Sequence, residues 1–341
     1  MSDVAITLLQ QFDQSQRREP MPDVISFEEA IARTKGKDRA LLVGNGFSAQ
    51  YFSYASLLAE SGLEDAGPLR SLFERLQTAD FETVVRALEG AAIVEEAYGN
   101  DAHGEEIRVH AQAVREALVR AVNKTHPVHR NELIFQYESS AKFIEHFVTV
   151  FSLNYDLLLY WVNLEKRLLR DGFGLGDRHG RFYGPFSESA DCHLFNLHGG
   201  LHLFDDGEGG VLKAVDTGGG VIATITDTIV SKRRLPIYVA EGTSAQKTKK
   251  INSVSYLRYC YDALRNTASS LFVYGHSADD NDAHIYRAIF ESEASQVFFG
   301  VYKPDAQKLR VLDGRLANYQ RRAGSEKRYT FYDSESAKVW E

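Results

Sequence analysis

Two hydrophobic patterns alternate along this chain and divide it into strands and helices. Ala40-Leu41-Leu42-Val43 is an unbroken apolar run that stops at Gly44-Asn45-Gly46, which reads as a buried strand ending in a tight turn. Apolar or β-branched runs near residues 148, 194, 236, 271, 297 and 330 repeat that grammar. Residues 1–38 instead space Ile6, Leu8, Leu9 and Phe12, then Ile25 and Phe27 to Ile31, at helical intervals. Pro20 and Pro22 split them into two short helices.

From Ser48 to Val148 apolar residues recur at threes and fours, as in Leu69, Leu72 and Leu76, then Val84, Val85 and Leu88, then Val114, Leu118 and Val122. A crossover between parallel strands needs only about a dozen residues, so this much longer block is an insertion. The expected organisation is N-terminal helices (1–38), a sheet domain (39–48 and 141–341) and a helical insertion (49–140). Strands alternating with helices predict an α/β fold with a doubly wound, mostly parallel, Rossmann-like sheet.

The later connections have their own text. Arg178 to Tyr183 reads as a hairpin, and Val221 to Val230, rich in β-branched residues, as a hairpin or an excursion over the sheet. Gln246 to Ser253 is a polar stretch ahead of a helix over 254–268. Gly172 to Gly176 has the look of a phosphate loop, but helix text precedes it rather than a strand, so it reads as a flexible connection.

Strand after strand ends in Gly, Asn, Asp, His, Ser or Thr, and in a doubly wound sheet those ends line one crevice. Gly44 and Gly46 permit close backbone approach, and a helix starting at Phe47 would turn its N–H groups and dipole towards an anion, with Ser48 adding a hydroxyl. Asn154 and Asp156 either point together into the crevice or form an Asx turn capping the next helix. His198 stands at a strand end beside Gly199 and Gly200. Thr243 and Ser244 follow another strand, and Gly275, Ser277 and Asp280 a further one, with Asn281, Asp282 and His284 opening the next helix. Cys192, His193, His198 and His202 invite a metal reading, but their spacing matches no standard zinc motif and alternation divides them between faces, so no metal is expected.

Bulk properties remove several classes. The net charge of −8 over 341 residues argues against general nucleic-acid binding, although Lys232 to Arg234 and Lys247 to Lys250 are local basic patches. Two cysteines build neither a disulfide framework nor a four-thiolate zinc site. Without an apolar run near 18 residues or a signal-peptide pattern, no membrane association and a cytoplasmic location are expected.

Taken in order, these motifs resemble the sirtuin superfamily, and within it the bacterial sirtuin-like branch that includes NAD-degrading effectors of antiphage defence. Gly44-Asn45-Gly46-Phe47-Ser48 is similar to the family's Gly-Ala-Gly-Ile-Ser loop, and Ser152-Leu153-Asn154-Tyr155-Asp156 to its Thr-x-Asn-x-Asp strand end. Leu197-His198-Gly199 matches the Leu-His-Gly that carries the catalytic histidine, and Gly242-Thr243-Ser244 a Gly-Thr-Ser loop near the cofactor. Gly275-His276-Ser277-Ala278-Asp279-Asp280 is similar to the branch's Gly-Tyr-Ser-x-x-Asp turn.

The resemblance implies NAD as substrate, with Asn154 and His198 catalytic and Asp156 on the nicotinamide carboxamide. It also implies Gly44, Asn45, Gly46, Phe47 and Ser48 around the pyrophosphate, and Gly242, Thr243, Ser244, Gly275, Ser277 and Asp280 on the remainder of the dinucleotide. The paired Cys-x-x-Cys zinc ribbon of deacetylating sirtuins cannot be built here, which favours hydrolysis of NAD over deacylation. A non-catalytic NAD or ADP-ribose sensor and an ADP-ribosyltransferase or deacylase are the alternatives. Homo-oligomerisation, or a complex with a sensor or ATPase, is the implied means of restraint.

Overall fold

A computed structural model describes residues 23–51, 57–64, 67–127, 129–174, 178–216, 220–239 and 242–341. The expected helix within residues 1–22 and part of the Gly172–Gly176 connection lie outside them.

The body is a seven-stranded sheet with every neighbouring pair parallel. In chain order its strands are β1 (Val24–Ile25), β2 (Arg39–Val43), β3 (Thr149–Ser152), β6 (Leu194–Asn196), β10 (Ser270–Tyr274), β11 (Val297–Val301) and β12 (Tyr329–Asp333). Across the sheet they run β1-β12-β11-β10-β2-β3-β6. From β2 the chain winds outward through β3 to β6, whereas β10, β11 and β12 lie on its other side. The reversal therefore falls between β2 and β10, and in open α/β sheets that switch point is where ligands bind.

Consecutive residues of β2 enter opposite cores. Leu41 and Val43 join the apolar layer that holds the helices between β2 and β3, and Ala40 and Leu42 the layer under the C-terminal helices. A strand buried on both faces must be apolar throughout, which explains the unbroken run at 40–43.

Between β2 and β3 come α1's successors. With α1 at Phe27–Arg33, these are α2 (Leu57–Glu60), α3 (Pro68–Arg75), α4 (Phe81–Ala97), α5 (Asp101–Thr125) and α6 (Tyr137–Ile144). Phe81, Val84, Val85 and Leu88 of α4 pack with Val114, Leu118 and Val122 of α5, so the expected helical insertion shares the core of one sheet face.

Four sequence expectations are corrected. The apolar run at 235–240 forms β9 (Pro236–Tyr238), which does not join the parallel sheet. It closes a five-stranded antiparallel sheet with β4 (Arg178–His179), β5 (Phe182–Tyr183), β7 (Gly199–Asp205) and β8 (Val211–Ala214), and the expected hairpin is β4–β5. Its place in the parallel sheet goes to β1, from the text read as helical around Ile25. Val221–Val230 is helix α8, whose Val221, Thr224, Ile225, Thr228 and Ile229 are buried at three-four spacing, with Thr228 Oγ1 donating to Thr224 O at 2.7 Å. The polar text after Thr243 is itself helix α9 (Ser244–Ser253), followed by α10 (Ser255–Arg265).

The remaining helices are α7 (Leu158–Lys166), α11 (Ala283–Glu291) and α12 (Ala306–Arg322). Among the described residues no helix is long and apolar enough to cross a membrane.

Candidate active site

At the switch point the ends of β2 and β10 touch backbone to backbone. Gly44 N–H donates to Tyr274 O at 2.9 Å and Gly46 N–H to Gly275 O at 2.7 Å. A Cβ on Gly46 would stand 2.6 Å from Gly275 Cα, and one on Gly275, where φ is +70°, would stand 2.7 Å from Gly46 Cα. The glycines thus answer first to each other, and only then to any ligand.

The helix expected from Phe47 is not there. Asn45–Phe47 is a single 3-10 turn ending at Ser48, too short to present a helix dipole to an anion. Asn45 and Gly46 are exposed, while Phe47 and Ser48 are fully buried. The Trp340 indole packs on Phe47 and Tyr51 with ring centres 5.2 and 5.3 Å away, and its Nε1–H donates to Phe47 O at 2.5 Å.

Asn154 ties this turn to the next strand. Its Nδ2 donates to Gly44 O at 3.1 Å and to Ser48 Oγ at 3.2 Å. Its Oδ1 is buried and has no hydrogen-bond partner among the described residues. A buried amide oxygen left open costs free energy unless something else accepts the role, so it marks a place for an incoming donor. Asp156 Oδ1 accepts the Leu158 N–H at 2.8 Å, the Asx-turn alternative, at the entry to α7.

His198 sits where the chain leaves the parallel sheet for the antiparallel one. Gly199, at φ +67°, turns that corner, and a Cβ there would come within 2.2 Å of Ile237 O. The imidazole is buried, and burial pushes its pKa down to about 3, so it is neutral at pH 7. Its Nε2 lies 3.4 Å from His284 Nε2 and 3.8 Å from Asp282 Oδ1.

Asp282 anchors a group of side chains drawn from separate segments of the chain. Its Oδ1 meets Lys247 Nζ at 2.7 Å and its Oδ2 meets His276 Nε2 at 3.2 Å. His276 Nδ1 accepts the Ala278 N–H at 3.0 Å, so in the neutral ring Nε2 carries the proton and donates to the carboxylate. Burial alone would raise the Asp282 carboxyl, but the His276 hydrogen bond and the surrounding positive charge hold it well below the usual carboxylate range. His284, pushed down to about 4 by burial, faces Ser244 Oγ through Nδ1 at 3.1 Å.

The remaining expected residues divide by role. Gly46, Gly275 and Ser277 line a cleft of about 1240 Å³ over the ends of β2, β10, β11 and β12, with Tyr302, Asp305, Arg315 and Glu335. Asn154 and His198 are not among the residues lining it; they follow β3 and β6, at the other side of the switch point. A smaller cavity of about 580 Å³ among Asn123, Trp161 and Val221 is lined by none of the strand ends of the parallel sheet. Thr243 spends its hydroxyl on the α9 capping box with Gln246, and Gly242 opens that turn. Asp280 Oδ1 accepts the Tyr319 hydroxyl at 3.0 Å.

Of the residues whose types invited a metal reading, His193 faces Asp191 at 3.5 Å, and His202 stacks on Tyr160 at 4.7 Å. Among the described residues, His198, Asp282 and His284 bring ligand-type atoms within 4.8 Å of one another. The Lys247 ammonium already occupies the Asp282 oxygen in that group, so a divalent ion would meet a fixed positive charge.

Sequence reading missed Lys247, His276, Asp282 and His284 as a unit. The segments were visible as polar strand ends, but the pairing of Lys247 with Asp282 has no sequence periodicity to reveal it.

Residues 41–340 match the family described as Domain of unknown function (DUF4917), and the chain belongs to that family. No curated protein matches the chain.

Proposed function

We propose that this member of the DUF4917 family is an NAD⁺ hydrolase of sirtuin-like type, cleaving the nicotinamide–ribose bond to nicotinamide and ADP-ribose. The observation that carries the reading is the open Oδ1 of buried Asn154, fixed through Nδ2 to the Gly44–Ser48 turn at the switch point of the sheet. Neutral His198 follows the adjacent strand, and the large cleft beside Gly46 and Gly275 gives room for the adenosine half. The five strand-end motifs shared in order with the bacterial sirtuin-like branch support the same substrate.

In this reaction the C1′–N bond breaks, its electron pair neutralises the pyridinium, and positive charge develops on the ribose. Asn154 Oδ1 accepts a hydrogen bond from the attacking water or a ribose hydroxyl, a task that suits a neutral amide because the leaving group is neutral. His198 takes the proton as the water adds to C1′. The Gly44–Ser48 turn and the Gly275–Ser277 turn bracket the phosphates.

The test is incubation of the chain with NAD⁺ while nicotinamide is measured, with Asn154→Ala alongside. Binding of NAD⁺ without release of nicotinamide would move the reading to a sensor, and transfer of label to an acceptor protein would move it to a transferase. An antiphage role, with activity restrained by self-assembly or a sensor or ATPase partner, is the setting that the resemblance supports.

A further inference from the structure

Hydrolysis of NAD⁺ frees one proton per turnover, because water delivers hydroxide to C1′ and nicotinamide leaves neutral. His198 is a poor place for that proton to stay, being buried and neutral. A route outward exists behind it. His198 Nε2 and His284 Nε2 face each other at 3.4 Å with rings 23° from parallel, and two such nitrogens cannot both donate or both accept. One proton lies between them. On the far side of His284, Ser244 Oγ accepts that residue's backbone N–H at 3.0 Å and faces its Nδ1 at 3.1 Å. Ser244 is half-buried in the first turn of α9, and no described residue hydrogen-bonds His198 Nδ1.

We propose that His198, His284 and Ser244 form a proton exit from the strand ends to solvent, with His284 and Ser244 as positioning residues that act through His198. The proposal rests on the hydrolase reading above.

In the ready state His284 Nδ1–H donates to Ser244 Oγ and His198 Nε2–H donates to His284 Nε2, leaving the His198 Nδ1 lone pair open. Nδ1 accepts the proton of the attacking water, Nε2–H passes to His284 Nε2, and His284 Nδ1–H passes to Ser244 Oγ, whose own hydrogen goes to bulk water. Once the products leave, water entering the vacated site takes the proton from His198 Nδ1, His284 Nε2–H returns to His198 Nε2, and Ser244 O–H returns its proton to His284 Nδ1 while taking one from bulk water, so the exit carries the proton away only for the duration of the chemical step. No net charge remains on any ring.

Four groups face this pair from the elements packed around it: Asp282, Lys247, His276 and Tyr261. Asp282 Oδ1, 3.8 Å from His198 Nε2, stabilises positive charge while the proton is in transit, and Lys247 and His276 fix that carboxylate. The Tyr261 hydroxyl donates to the backbone carbonyl of His284 at 2.9 Å.

The experiment compares wild type, Asn154→Ala, His284→Ala, His284→Gln and Ser244→Ala at saturating NAD⁺ across pH, with and without added imidazole. The expected result is a kcat loss of about tenfold or more for both His284 variants, with KM little changed. Imidazole should restore His284→Ala but not His284→Gln, and Ser244→Ala should show a smaller loss in the same direction. If the His284 variants keep the wild-type rate and pH profile while Asn154→Ala is inactive, the exit is wrong and the hydrolase reading stands. A loss that imidazole does not repair and that leaves the pH profile unmoved is merely structural and also overturns the exit. If wild type releases no nicotinamide, the hydrolase reading falls and the exit falls with it.

Discussion

Asn154 and His198 leave neighbouring parallel strands at the same level: Ser152 pairs with Asn196, and each of the two residues follows its strand partner by two positions. The lacing continues past the strands, with Leu153 N–H donating to Val43 O and Leu197 N–H to Ser152 O, both at 2.9 Å. Three adjacent strand ends are thereby held in one register, which is what a reaction needing an amide and an imidazole at fixed separation requires.

Removing the Asn154 side chain should expose this arrangement. Asn154→Ala takes the donor from Gly44 O and Ser48 Oγ, both in buried surroundings, and should cost about 1–3 kcal/mol of stability. Urea unfolding measures the cost, and loss of cooperative unfolding would mean that the residue is needed for the fold itself.

The contact of the two glycine turns yields a sharper structural expectation. Gly275→Ala places a Cβ 2.7 Å from Gly46 Cα in a left-handed backbone, so overpacking and strain add, for roughly 2–5 kcal/mol. Gly314→Ala, with nothing within 4 Å, serves as the control and should be close to neutral or stabilising. Equal effects of the two would contradict the backbone-contact account.

Much of this was readable from the chain because fully buried parallel strands are continuous apolar runs and their ends are abruptly polar. That signal located β2, β3, β6, β10, β11 and β12. It could not say which sheet Pro236–Tyr238 joins, since a short apolar run looks alike in parallel and antiparallel pairs. Val24–Ile25 escaped because a two-residue strand is defined by its distant partner at Phe331 and Tyr332. At the site, Asn154 and His198 were legible as strand ends, while the Lys247–Asp282–His276 clamp arises only when α9 is laid beside the turn preceding α11.

His126 links the helical insertion to the same strand end. Its Nδ1–H donates to Val122 O at 3.0 Å and its Nε2 accepts the Leu157 N–H at 3.2 Å, one residue beyond Asp156. His126→Ala should cost about 1–3 kcal/mol from the lost backbone acceptor, and lower kcat more than it changes KM. Unfolding curves and steady-state kinetics on one preparation test both parts. Wild-type kcat in a folded variant would show that the insertion does not position the loop.

Acid should weaken the fold well above the usual carboxylate range. Burial pushes His126 and His284 to about 4, and His198 and His202 to about 3. The unfolded chain binds protons at these side chains from about pH 6.5 downward, whereas the folded chain refuses them until about pH 4 or lower. The unfolded state therefore holds more protons in that window, and stability falls as pH drops from about 6.5 towards 4. Asp282, held low in the folded state, adds the same sign at still lower pH. Tm measured from pH 7.5 to 4.5 should decline progressively below 6.5, and a flat profile would show that these histidines are not buried neutral.

The central claim is tested most directly by purified chain incubated with NAD⁺ and sampled for nicotinamide and ADP-ribose. The expected result is equal release of the two products by wild type, falling about 100-fold or more in Asn154→Ala and in His198→Ala while both variants still unfold cooperatively. Release at the wild-type rate by either folded variant, or none from wild type, would contradict the account.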